Sequence, residues 1–324
     1  AILFITHRLD EVMEVADNIT ILRDGEVVSR MPRDEAKLDR IAQLMVGRKI
    51  ERPVLPPRKS EPSDKDVVLK IENLKVDMPG ERVRELNLAV RRGEILGIGG
   101  LAGHGKVGIA NGVIGMYPAS GLVTKDGVRI PLNDPKHALL SGMAFVSEDR
   151  RGVGLLLDES IEMNIILTAM QVQGKFLQPG VLPSLRLEDR AAMREHALSV
   201  IRDLDIRCTG PAQLVRRLSG GNQQKVCLGR AFTMEPEVLW VSEPTRGIDV
   251  GAKQLVLDLL VKFNREHGMT IVMTSSELGE LRKICDRIAI VYRGQIAGVL
   301  PPDASDVDFG LMMAGKSATL EEVS

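Results

Sequence analysis

Leu218-Ser219-Gly220-Gly221-Asn222-Gln223-Gln224-Lys225 is followed by the apolar run Val238-Leu239-Trp240-Val241, and that by Ser242-Glu243-Pro244-Thr245-Arg246-Gly247-Ile248-Asp249. Ser219 is a residue type that caps helices through its hydroxyl. The two glycines after it let a ligand approach a helix end whose first N–H groups are unpaired, and such an end can hold phosphate. Ser-Gly-Gly alone fits an ordinary capped helix as well, so the neighbouring residues must decide. Residues 238–241 are continuously apolar, the pattern of a strand in a parallel sheet covered on both faces.

Upstream, Val67–Glu72 and Leu86–Val90 read as short alternating strands, and Glu94–Gly99 as an apolar strand after a turn at Gly93. Gly100-Leu101-Ala102-Gly103-His104-Gly105-Lys106-Val107 then leads into a helical stretch to about Gly115. Strand, glycine loop and helix in this order suit a phosphate cradle: the glycine amides wrap the phosphates and Lys106 reaches the terminal ones. The pattern G-x-x-x-x-G-K-[ST] fails at its last position, where Val107 replaces a hydroxyl that would ligate Mg²⁺. Met143–Val146 reads as a strand running into Ser147-Glu148-Asp149-Arg150. Ile161–Gln173 and Leu187–Leu204 carry helical patterns, separated by a Pro- and Gly-containing loop around 179–183.

The chain also repeats itself. Ile2-Leu3-Phe4-Ile5-Thr6-His7-Arg8-Leu9-Asp10-Glu11 aligns without a gap with Ile271-Val272-Met273-Thr274-Ser275-Ser276-Glu277-Leu278-Gly279-Glu280. The match continues in the same register through Asp17/Asp286, Ile19/Ile288, Ile21/Ile290 and Gly25/Gly294. A pattern that recurs only near the other end of the chain denotes a repeated domain, not a solenoid unit. Residues 1–49 therefore read as the C-terminal remnant of a first copy, which opens on a buried-type strand at Ala1–Ile5. Residues 50–66 form a Pro-rich, charged linker, 67–315 a complete second copy and 316–324 a tail.

Of the 324 residues, 44% are hydrophobic and 27% charged, the balance of a globular protein with a sizeable core. A net charge of −1 and 3% aromatics argue against a nucleic-acid binder built on a basic face or stacked bases. Cys208, Cys227 and Cys285 have neither metal-ligand nor paired spacing and fit reduced thiols in a core. His104, His137, His196 and His267 are scattered. No apolar run reaches the roughly 20 residues that span a bilayer, so any membrane would be crossed by a partner.

Residues 218–225 resemble the LSGGQ signature of ABC ATPases, and Val238–Thr245 resembles their Walker B strand and the loop after it. The resemblance extends over essentially the whole chain. It implies an α/β P-loop NTPase fold: a mostly parallel core sheet, a small antiparallel β subdomain and a helical subdomain. Gly100, Gly103, His104, Gly105, Lys106 and Val107 would then bind nucleotide, as would Ser219, Gly220, Gly221, Asn222 and Gln223. Glu243 would hold the general-base position, Asp249 the D-loop position and Glu148 the Q-loop position, where most members have Gln. Ser242 stands where the family has the Asp that helps hold Mg²⁺, so Ser242 and Glu148 leave a weak, degenerate metal site. His7 matches the switch histidine of the family, and its counterpart in the second copy is Ser276. Glu162 and Asn164 would lie near the transmembrane partner.

The same resemblance implies a division of labour. ABC ATPase domains work face to face, each nucleotide lying between the P-loop of one copy and the signature of the other. The second copy's own loop is altered at Val107, Ser242 and Ser276, while its signature completes the site of the first copy. Asn222-Gln223-Gln224, Glu243 to Lys253 and the Leu-Met-x-Gly pattern resemble ATP-binding subunits of bacterial monosaccharide importers of the ribose, galactose and xylose type. Expected cofactors are ATP and Mg²⁺. Expected partners are permease subunits, a solute-binding protein reached through them and the first ATPase domain, at the cytoplasmic face of the membrane. An importer for nucleosides or an autoinducer, or a non-transport ABC protein on ribosomes or DNA, remains the alternative.

Overall fold

The computed structural model describes residues 2–5, 9–23, 26–37, 41, 44, 63, 66–178 and 187–316. His7, most of the expected linker and the loop at 179–186 lie outside these residues. Near the start, α1 (Leu9–Val15) precedes the antiparallel hairpin β1 (Asn18–Arg23) and β2 (Glu26–Pro32), which closes over a small cluster of Ile19, Ile21, Ala36 and Ile41. The strand expected at Ala1–Ile5 does not form over residues 2–5. Ile2 is 96% exposed and Ile5 88%, whereas the matching residues of the second copy lie inside a sheet. A parallel strand takes all its ladder bonds from other strands, and none of the described strands pairs with 2–5.

From residue 67 the chain builds two sheets. β3 (Val67–Val76) and β4 (Val83–Arg91) lead into β5 (Ile95–Gly99) and α2 (Lys106–Ile114). Next come β6 (Ala119–Lys125), β7 (Val128–Ile130), α3 (Pro135–Leu140) and β8 (Met143–Val146). The helical segment is α4 (Ile161–Gln173) and α5 (Arg190–Asp203), followed by α6 (Gly220–Thr233) and β9 (Val238–Ser242). The remainder is α7 (Val250–His267), β10 (Thr270–Thr274), α8 (Leu278–Ile284), β11 (Arg287–Tyr292), β12 (Gln295–Leu300) and α9 (Asp306–Met313).

The main sheet has the order β12-β11-β5-β10-β9-β8, parallel throughout except for the edge strand β12. The second sheet, β4-β3-β6-β7, is antiparallel. Every residue of β5, β9 and β10 is buried, as a sheet covered on both faces requires. Alternate residues serve opposite cores. Val238 and Trp240 pack with the antiparallel sheet and α2, while Leu239 and Val241 pack with the helices. This is the α/β architecture expected from the sequence.

β3 extends past the expected Glu72 to Val76 and β4 starts before Leu86, at Val83, for one reason. Asn73 and Glu85 both adopt left-handed backbone, and the β3–β4 register shifts between Ile71 and Leu74. An irregularity inside a strand breaks the alternation by which the strand is read. Asn164, expected near a partner surface, is instead fully buried. Its amide bridges Leu156 and Ser160 and accepts from Arg230 Nη2 at 2.6 Å. The polar atoms of a buried Asn must be paired, and this one spends them on Leu156, Ser160 and Arg230 of α6.

Glu94, fully buried at the turn into β5, accepts two bonds from Arg287 (3.0 and 2.9 Å) and one from the Arg91 N–H. It ties β4 to the main sheet. Removing one partner of a buried pair leaves the other charge uncompensated. Glu94→Ala is therefore expected to lower the unfolding free energy by about 3 kcal/mol in urea titration.

Candidate nucleotide site

Three strand ends converge on one ammonium. β5 runs into the glycine loop, β9 into Ser242 and Glu243, and β10 into Ser275 and Ser276. Gly105, at φ 99°, starts α2 with a backbone conformation that residues bearing a Cβ rarely adopt. Lys106 is thereby turned inward and left only 1% exposed. Its Nζ donates to the Ser276 hydroxyl at 2.9 Å and to the Gly100 carbonyl at 3.3 Å, and lies 3.5 Å from Glu243 Oε1. Ser276 closes the circuit, donating its hydroxyl to Glu243 Oε1 at 2.6 Å and its N–H to Oε2 at 3.1 Å. Glu243 itself sits at φ 47°, held by its N–H on the Thr274 carbonyl at 2.9 Å. Left-handed backbone at a non-glycine residue costs on the order of 1–3 kcal/mol and persists only where the surroundings impose it.

A second network lies behind the first. Glu280, 5% exposed, accepts from the Thr245 hydroxyl at 2.6 Å and the Ser275 hydroxyl at 2.8 Å, with Lys253 Nζ 3.5 Å away. Burial raises its carboxyl above the ordinary value, against the pull of the two hydroxyls. It links the loop after β9 to the loop after β10. No simple motif marks this residue, but its counterpart in the first copy, Glu11, is also glutamate.

Few metal donors are present. Ser242 is fully buried and its hydroxyl has no hydrogen-bond partner among the described residues, while Val107 is apolar and 8% exposed. Among the described residues Glu148 accepts only a long bond, 3.4 Å, from Ser147. Among the described residues no three His, Cys, Asp or Glu side chains gather to hold a metal. At nucleotide sites Mg²⁺ is held by one or two carboxylates together with substrate phosphates and water, and here the position of Val107 offers no donor while that of Ser242 offers a buried hydroxyl. Glu148, Glu243 and the Ser242 hydroxyl are the side-chain groups that would hold Mg²⁺ beside bound phosphates.

Residues 218–225 stand apart from this cluster. Ser219 caps α6, its hydroxyl accepting from the Asn222 N–H at 3.5 Å and from Asn222 Nδ2 at 3.0 Å. Gly221 owes its size to packing, since a Cβ there would lie 2.6 Å from that of Ala252 on α7. Gly220 faces the Gly247 carbonyl and the Arg150 guanidinium. Gln223 points inward, 3% exposed, with its amide on the Val215 carbonyl at 3.2 Å. Asp249 caps α7 through the Ala252 N–H at 2.9 Å. His104 packs edge-on against Tyr292, ring centroids 5.1 Å apart. The structure thus brings Gly100, Lys106, Glu243 and Ser276 together. No hydrogen bond among the described residues joins Ser219, Gly220, Gly221 or Asn222 to them.

The model of the ABC transporter family matches residues 83–246, just over half of the chain. The chain belongs to the ABC transporter family. A ribose import ATP-binding protein of Rubrobacter xylanophilus is 36% identical over 98% of this chain and 61% of its own length. A xylose import ATP-binding protein of Moorella thermoacetica is 38% identical over 91% of this chain and 57% of its own length. The chain therefore spans less than two thirds of these relatives. Among solved structures, a nucleotide-free ATP-binding cassette from an ABC transporter superposes with a TM-score of 0.60 at 18% identity, covering 76% of this chain and 95% of that one. The dimeric cassette MJ0796 bound to ADP and Pi gives 0.59 at 22% identity, covering 73% and 100%. These two show the fold.

Within this ABC chain the helix that carries Ser219–Asn222 also buries a thiol. Desolvation pushes the Cys227 thiol up to about 12, and Cys285 is likewise raised well above the usual thiol range. Both remain protonated far above neutrality, whereas Cys208 is only half-buried. A disulfide reagent at about pH 8 is expected to titrate one thiol rapidly in the folded chain and all three after denaturation. Rapid reaction of Cys227 in the folded state would contradict its burial.

Proposed function

We propose that this chain is part of an ATP-binding subunit that energises import of a simple sugar, with the second copy contributing unequally to two composite nucleotide sites. The site built on its own Gly100–Val107 loop binds nucleotide and turns over slowly or not at all. Hydrolysis falls mainly to the site that pairs the first copy's loop and His7 with Ser219, Gly220, Gly221 and Asn222 of this copy. The observation that carries this reading is the closed circuit of Lys106, Ser276 and Glu243. Glu243, in the general-base position, has both carboxylate oxygens engaged by Ser276, and Lys106 lies against it. A base so occupied is poorly placed to take a proton from water. Val107 supplies no hydroxyl and Ser242 no carboxylate for Mg²⁺, which the better site would hold instead.

The domain division at 1–49, 50–66, 67–315 and 316–324 is supported by matching element boundaries. α1, β1 and the start of β2 occupy the positions that the repeat pairs with α8, β11 and the start of β12. Both hairpins also shift register at the same relative position, Ile21/Leu22 and Ile290/Val291. The import role rests on the names of the relatives, which are ribose and xylose import ATP-binding proteins; permease and solute-binding partners and a location on the cytoplasmic face are part of the same proposal. No helix among the described residues is long and apolar enough to cross a membrane.

The assignment of sites is tested in the full-length chain by ATPase rates. His7→Ala is expected to reduce turnover by about tenfold or more, and Glu243→Gln by much less. A Glu243→Gln chain that is inactive beside an active His7→Ala chain would reverse the assignment.

A further inference from the structure

The turn between β3 and β4, Met78-Pro79-Gly80-Glu81-Arg82, lies directly on the glycine loop. The Glu81 carboxylate accepts from the Gly103 N–H at 2.8 Å through one oxygen, and from the N–H groups of Gly105 at 2.9 Å and Val107 at 3.3 Å through the other. These are alternate amides of the loop, at 103, 105 and 107, aimed at one acceptor; backbone amides converging in this way are what lets a glycine loop receive phosphate. Here a carboxylate of the protein's own chain occupies that place. Backbone packing makes the contact a built one. A Cβ on Gly105 would lie 2.5 Å from the Arg82 carbonyl oxygen, and one on Gly108, inside α2, 2.0 Å from the Glu81 carbonyl oxygen. Glycine in a helix interior is unfavourable, and at 108 it is what admits the turn.

The surroundings have the opposite charge. A cavity of about 450 Å³ beside these amides is lined by Arg82, Arg84, Gly103, His104 and Arg293. Arg82 pairs with Asp77 at 2.9 Å, while Arg84 and Arg293 have no carboxylate partner among the described residues. The rim suits a polyanion.

We propose that Glu81 is an internal phosphate surrogate: it holds the phosphate position of this loop and must withdraw before nucleotide enters, so it sets the nucleotide affinity of this copy. The proposal rests on the reading of Gly100–Val107 as a nucleotide loop. Three hydrogen bonds to an ionised acceptor favour the seated form. A ligand that binds only the withdrawn form has its apparent affinity reduced by the fraction withdrawn, so a loop withdrawn one time in ten binds about tenfold more weakly. Arg84 and Arg293 stand where incoming phosphates would meet them first.

The test is photolabelling of the full-length chain with 8-azido-ATP over a concentration series, with labelled peptides of the two copies separated by mass spectrometry. Glu81→Gln keeps the shape of the side chain and Glu81→Ala removes it. Both are expected to lower the concentration for half-maximal labelling of this copy by about tenfold, and Lys106→Ala in either background to abolish that gain. Unchanged or weaker labelling in both Glu81 variants, with Lys106→Ala still reducing labelling of the parent chain, would overturn the surrogate and leave the nucleotide loop standing. Labelling of this copy that Lys106→Ala alters in no background would remove the loop as a nucleotide site, and the proposal with it.

Discussion

A lysine ammonium held at 1% exposure must be neutralised where it stands, and much of the polar edge at the ends of β5, β9 and β10 follows from that requirement. Lys106 is turned inward by the backbone of Gly105, so its three donors have to be met by groups delivered from other strands. β5 supplies the Gly100 carbonyl, β10 leads to the Ser276 hydroxyl and β9 to the Glu243 carboxylate. These strands are neighbours in the parallel order β5-β10-β9, so their C-terminal ends lie at one edge of the sheet. That edge is where open α/β sheets place their ligands.

Most of the charged and donor groups at this edge are satisfied by the protein itself. The Lys106 donors are spent on Gly100 and Ser276, the Glu243 oxygens on Ser276, and three loop amides on Glu81. A ligand arriving here exchanges existing hydrogen bonds instead of satisfying vacant ones, and only the difference appears as affinity. Glu280 stiffens the arrangement from behind, since moving the loop after β10 also strains its bond to Thr245. Ser276, which the repeat sets opposite His7, is one part of this inward pairing, whereas the buried Ser242 hydroxyl has no partner among the described residues.

What could be read from the sequence was what local patterns encode. Met143–Val146 and Ile161–Gln173 have the expected bounds, because one is an unbroken apolar run and the other starts at a Ser160 cap. The helix expected from Leu187 starts at Arg190, where Asp189 caps it. Lys106, Glu243 and Ser276 were identifiable because each follows a strand at a motif position. Glu81 was not. It sits in a turn where a charged residue is ordinary, and its partners are backbone amides beyond two intervening strands, β4 and β5. Asn164 was misplaced for a related reason: a polar residue in a helix reads as exposed unless the groups it meets across the helical segment are known. Gln223 likewise follows four candidate residues in sequence, yet the turn of α6 carries its side chain to the buried face.

The two copies separate what short-range contacts determine from what long-range pairing determines. The hairpin β1–β2 reproduces β11–β12 down to its register shift, because both strands and the turn between them are contiguous in the chain and close over their own apolar cluster. Residues 2–5 align with Ile271–Thr274 of β10, yet they form no strand among the described residues and stay exposed. β10 is buried because β5 and β9 flank it, and β5 lies far upstream, before the whole helical segment. Antiparallel hairpins carry their own partners, whereas a parallel strand depends on distant chain. The same asymmetry governs the chemistry: loops that bear Lys106, Glu243 and Ser276 acquire their geometry only when a complete parallel sheet sets their strand ends side by side.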